Sequence, residues 1–183
     1  MALDEYNFVK YDPNQMEHLE RHLEGSHVQG SHFKRGAFPD AKTLVDFALQ
    51  HIQDYNGQRT VVEVDLDHIV GYDSVVSTED LPESATVTKE PRGRNEYLAN
   101  VIDGAAKKPT NHMVIVAGPL KEQGKHGFYT IFPGQNTPPF PATEEQLREW
   151  GYKDAELQKA AEENKQYAAF WETHGFVREN QRE

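Results

Sequence analysis

A chain of 183 residues with a net charge of −11 and no cysteine is long enough to bury a core as one domain with an appended tail. The missing cysteine excludes disulfides and thiolate metal centres, and the acidic balance argues against broad, non-specific nucleic-acid binding, which depends on neutralising phosphates. No apolar run is long enough to span a membrane, and the start lacks the basic-then-apolar profile of a signal peptide. A cytoplasmic home is therefore expected, secretion without a cleavable signal being the other route.

Residues 1–13 read as an extended entry. From Asn14 the spacing of Met16, Leu19 and Leu23 predicts a helix that ends at Gly25 and puts His18 and His22 one turn apart on one face. A second helix follows Phe38-Pro39 with Asp40 as its cap, and Leu44, Phe47, Ala48 and Ile52 form its apolar stripe. Strand signals take over at Thr60–Leu66, with Ile69–Tyr72 continuing that strand or turning back on it. Residues 73–96 read as a long polar loop around a short strand at Ala85–Thr88, and Tyr97–Ala106 as a short helix. Met113–Ala117 and Phe128–Phe132 are expected to be antiparallel partners joined through the glycine-bearing segment Gly118–Gly127. Gly134–Pro141 reads as a rigid proline-rich loop, Thr143-Glu144-Glu145 as a helix start, and Asp154–Thr173 as a long helix with one sticky side. The expected class is α+β: N-terminal helices, a mostly antiparallel sheet and a C-terminal helical tail. The expected division is a domain over 1–141 and a helical extension over 142–183, packed on the domain or on a partner.

The stretch from His22 to Pro39 stands apart from these regular elements. It holds His22, His27 and His32 among three glycines, followed by Lys34 and Arg35. Histidine titrates near neutrality and gives or takes a proton at small cost, and glycine leaves room for a ligand. Three readings fit. Two imidazoles form an acid–base pair with a cation holding an anion between them, as a metal-free ribonuclease requires. Alternatively, His18 and His22 form half of a metal site, although no His-Glu-x-x-His order is present. Or these are surface histidines in a polar loop. A second candidate is Thr130, whose hydroxyl either bonds across strands or donates to a phosphate; on a regular strand it shares a face with Phe132, while Tyr129 and Ile131 share the other.

Taken together, these two stretches resemble the EndoU-like endoribonucleases, in particular the bacterial toxin branch of the barnase/EndoU/colicin/RelE-like group. The residues that carry the resemblance are His22-Leu23-Glu24-Gly25, then Gly30-Ser31-His32, then Arg35-Gly36-Ala37-Phe38-Pro39, and finally Thr130-Ile131-Phe132-Pro133. Arg35 stands where that family has a lysine, with Lys34 beside it, and Phe132 stands in place of a tyrosine. The resemblance implies RNA as substrate, cleaved without metal or other cofactor by attack of the 2′-hydroxyl to leave a 2′,3′-cyclic phosphate. It also implies His22 and His32 as the proton-transfer pair, with His27 competing for the first position, and Thr130 as a phosphate contact. Lys34, Arg35 and Phe132 would line the substrate site, and a cytotoxic nuclease would need a neutralising protein partner. The other function considered is a non-catalytic nucleotide- or protein-binding module of the same fold.

Overall fold

The computed structural model describes residues 2–24 and 30–178. In chain order the elements are α1 (Ala2–Glu5), β1 (Phe8–Val9), α2 (Pro13–Glu24), β2 (His32–Phe33), α3 (Ala41–His51), β3 (Thr60–Asp65), β4 (Gly71–Asp73) and β5 (Val75–Ser77). They continue with β6 (Thr86–Arg92), β7 (Tyr97–Asp103), β8 (Lys108–Thr110), β9 (His112–Pro119), β10 (His126–Pro133), α4 (Glu144–Glu149), α5 (Asp154–Thr173) and β11 (His174–Val177). The class is α+β. Two compact units share the chain: Met1–Asp73 with Lys108–Asn136, and Ser74–Lys107 with Thr137–Glu183. This division differs from a boundary after residue 141, because residues 74–107 join the C-terminal part. Asp73 and Lys108 are register partners in β4 and β8, so the chain leaves the first unit and returns to it on adjacent strands.

In the first unit one sheet runs β1-β10-β9-β3 and a smaller one β2-β4-β8. The pair β9/β10 is antiparallel, as their apolar runs predict, with Ile131 opposite Ile115 and Phe132 opposite Val114. β3 lies antiparallel on the other side of β9, placing Val64 opposite Met113. One face of this sheet presents Met113, Ile115, Ala117, Phe128 and Ile131 to Leu19 and Leu23 of α2 and to Leu44, Val45 and Ala48 of α3. Fully burying one such side chain contributes about 1.5–3 kcal/mol, so this layer is what holds α2 on the sheet. Asp40 caps α3 by accepting from the Thr43 backbone N–H at 2.7 Å, as its position before the apolar stripe predicts. The entry segment, expected to be extended throughout, opens with the short α1 and then adds β1 in parallel to β10.

The second unit has a sheet of order β5-β11-β7-β6. Here the region read as a short helix, Tyr97–Ala106, is strand β7 over Tyr97–Asp103. The spacing of Leu98, Val101 and Ile102 suits a helix face, but pairing decides: β7 is held antiparallel by β6 along its length and parallel by β11. The C-terminal part is likewise more than helix, since α5 passes directly into β11, which lies between β5 and β7. Trp171, buried at the end of α5, donates its indole N–H to the carbonyls of Pro138 and Pro139 at 3.1 and 3.2 Å, so the proline-rich loop serves as the acceptor for a buried aromatic.

Candidate functional site

The second half of α2 carries His18 and His22 one turn apart, and Ser31, just before β2, comes back against His22. His22 is only 8% exposed. Its Nδ1 lies 3.0 Å from the Ser31 carbonyl oxygen, and its Nε2 lies 3.0 Å from Nε2 of the exposed His18. The two rings meet edge to face with centroids 4.6 Å apart. A carbonyl only accepts, so Nδ1 of His22 carries a proton; in neutral His22 the Nε2 lone pair then accepts from His18 Nε2–H. Burial holds the His22 pKa below the usual histidine range, opposed by the bond to Ser31, and the nearby charges of His18 and His32 depress it further.

Ser31 is itself anchored. Its hydroxyl donates to Asp73 Oδ1 at 3.2 Å, and Asp73 Oδ2 accepts from the Gln135 backbone N–H at 3.0 Å. Asp73, at 6% exposed, therefore ties the histidine segment to the residues just after β10. Gly134 makes this approach possible. Its φ is +114°, and a Cβ there would stand 2.6 Å from the Asp73 carboxyl carbon, so a side chain is excluded both by backbone conformation and by contact. Gly71 does similar service one step away, where a Cβ would meet the His32 carbonyl oxygen at 2.5 Å and the Pro133 ring at 2.7 Å.

The expected site lay where the histidine loop meets the β10 strand. That meeting exists, but it is made by Pro133–Gln135 and not by Thr130. Thr130 is registered with Val116 and Phe132 with Val114, on the face of the sheet turned away from α2. The pairing also slips between Phe128 and Thr130, so Tyr129 is an extra residue and Phe128 and Ile131 both reach the core. Tyr129 accordingly does not share a face with Ile131, as strict alternation requires; its hydroxyl instead donates to the Pro119 carbonyl at 2.5 Å. His32 is half-buried beside Tyr72, ring centroids 5.2 Å apart. Lys34 and Arg35 are exposed in the turn between β2 and α3. His27 lies outside the described residues.

Two groupings were not read from the sequence as acid–base chemistry. His18 enters the sequence reading only as a partner of His22 at helical spacing, in the metal alternative. On the face of the larger sheet turned away from α2, His112 Nδ1 lies 2.5 Å from Asp65 and its Nε2 3.3 Å from Glu63, and these carboxylates, chiefly through the Asp65 bond, raise its pKa. Asp65 and His112 are direct cross-strand partners, which the pairing of Thr60–Leu66 with Met113–Ala117 would have revealed. Among the described residues no group of three or more histidine, aspartate or glutamate side chains is placed to hold a metal ion, and no helix is long and apolar enough to cross a membrane.

No protein-family model matches the chain, and no curated protein matches it. Among solved structures it is similar to a conserved hypothetical protein from Toxoplasma gondii ME49, at 10% sequence identity and a TM-score of 0.44, over 77% of this chain and 87% of that one. A likeness at that level carries no argument about function.

Proposed function

We propose that the chain is a metal-independent endoribonuclease that works by imidazole acid–base chemistry, acting in the cytoplasm on RNA and held in check there by a protein partner. The observation that carries the reading is the buried His22, hydrogen-bonded to the Ser31 carbonyl and to the exposed His18, in a segment that also holds His32. With both of its ring nitrogens engaged, His22 holds the exposed His18 in position, and His18 and His32 are the imidazoles that would exchange protons with the substrate. Lys34 and Arg35, exposed just beyond His32, offer the charges a scissile phosphate needs. The sheet register turns Thr130 and Phe132 to the other face, so the reading gives phosphate contact to the two cations.

The test is cleavage of an oligoribonucleotide in the presence of chelator, beside a copy carrying a 2′-deoxy sugar at each cleavage position. Cleavage of the first and not the second is expected, with His32→Ala slower by roughly a hundredfold or more, the usual scale for a positioned acid or base. Equal cleavage of both substrates, or activity restored only by zinc, would overturn it. The second reading is a non-catalytic nucleotide- or protein-binding module. The observation in its favour is that both ring nitrogens of His22 already face protein groups. Tight binding of RNA with no turnover would select it.

A further inference from the structure

We infer that Asp73, Ser31 and His22 form a positioning relay that fixes the ring of His18, leaving Nδ1 of His18 as the nitrogen available for proton exchange. Each link is a contact between groups of defined polarity. The Ser31 hydroxyl donates to the buried Asp73 carboxylate at 3.2 Å, the Ser31 carbonyl accepts from His22 Nδ1–H at 3.0 Å, and His22 Nε2 faces His18 Nε2 at 3.0 Å. Two nitrogens at that distance share one hydrogen. With the His22 lone pair as acceptor, the proton belongs to His18 Nε2, so the free lone pair of a neutral His18 is on Nδ1. An imidazole oriented by a second group, itself oriented by a third, is the arrangement that acid–base and nucleophilic sites share on unrelated folds.

The pair also has a limited capacity for protons. Adding one to His18 Nδ1 leaves the Nε2–H···Nε2 bond intact and strengthens it, whereas adding one to His22 sets two N–H groups against each other. The charged and titratable groups around the pair favour that order. His32 of β2 opposes a second charge on His22. Asp73 of β4 accepts from the Ser31 hydroxyl, Glu20 is occupied by the Ala41 backbone N–H of α3, and Arg21 is paired with Glu17 on the same helix. His18 is the exposed member of the pair. Fixing a ring in one tautomer and one orientation is what proton transfer to a substrate requires, and the relay is complete in the free protein.

The experiment is long-range proton–nitrogen correlation NMR on the nitrogen-15-labelled chain, titrated through the histidine range without substrate. Above that range His22 should appear as the pure Nδ1–H tautomer and His18 as the Nε2–H tautomer. A His22 that carries its proton on Nε2, or a His18 that averages both tautomers like a free imidazole, would overturn the relay. In Asp73→Asn the His22 signal should change from one tautomer to a mixture, and an unchanged signal would remove Asp73 from it. In His22→Asn, where the amide N–H still reaches the Ser31 carbonyl, His18 should lose its single tautomer; keeping it would overturn the link. The wild-type spectrum decides the central claim if a variant fails to fold, and because no RNA is present, its outcome is independent of whether the chain cleaves RNA.

Discussion

His22 and His112 belong to the same unit yet hold their protons in opposite ways. His22 is a buried residue of α2, with a carbonyl and another imidazole as partners, and burial pushes its pKa down. His112 sits on the face of the same sheet turned away from α2, beside two carboxylates of β3, and Asp65 and Glu63 push its pKa up. Neither residue's sequence neighbourhood distinguishes them. The sheet register does, because one face of β9 packs on helices while the other carries His112, with Glu63 and Asp65 of β3 beside it. Histidine chemistry in this fold is thus assigned by which side of one sheet a residue meets, which is also why Thr130 and His22 part company.

The strongest way to break the contrast is to loosen α2. Leu19 is fully buried beneath that helix, and Leu19→Ala should lower unfolding free energy by about 2–5 kcal/mol, measured by urea denaturation. His18 and His22 should lose their hydrogen bond in the same variant, while the elevated pKa of His112 persists, because its partners sit on β3. If both histidines respond alike, the two regions are not independent.

Gly134→Ala acts from the other end. A methyl group there meets the Asp73 carboxyl, and the backbone is in the left-handed region, so a loss of about 1–3 kcal/mol is expected. Gly36→Ala is the control, since its φ is +83° but nothing lies within 4 Å of the added carbon. It carries the backbone penalty alone. Equal losses for the two would mean that contact with Asp73 contributes nothing.

The pH dependence should show both histidines at once. The folded His22 resists protonation, so as pH falls through the ordinary value of about 6.5 the unfolded chain takes that proton first and stability declines. For His112 the sign is reversed: its contribution is present below the ordinary value and is lost as pH rises through the elevated folded value. Stability should therefore fall off on both sides, with His22→Asn flattening the acid arm and His112→Gln the alkaline arm. The reverse assignment of arms would contradict both environments. The smallest effect belongs to Asp65→Asn. Asp65 is mostly exposed, so the change should cost less than about 1 kcal/mol while returning the His112 pKa toward its ordinary value by NMR titration.

Much of this layout is legible in the amino-acid pattern. The helices around Leu19 and Leu44 follow from apolar spacing, and the β9/β10 pair from two β-branched runs separated by glycines. Two features escape such reading. Tyr129 breaks strict alternation because the pairing slips there, which no local composition announces, and the slip decides which side chains reach the core. β7 satisfies a helical spacing as well as a strand's, and only its two neighbours in the sheet resolve it. The candidate site divides in the same way. His18 and His22 are visible as a pair four residues apart, but Ser31 and Asp73 meet across 42 positions, and their contact depends on a glycine still further along. Long-range polar anchoring of that kind leaves no periodic trace.

The position of β11 in its sheet has a consequence for synthesis. β5 and β7 are neighbours only through β11, which runs antiparallel to one and parallel to the other. The first unit has all its strands once residue 133 has been made, whereas the second has a gap in the middle of its sheet until residue 177 follows. Domains are acquired in order as a chain leaves the ribosome, at about 5–20 residues per second. Residues 74–107, although made before β9 and β10, therefore wait for seconds with two unpaired strand edges until β11 closes them.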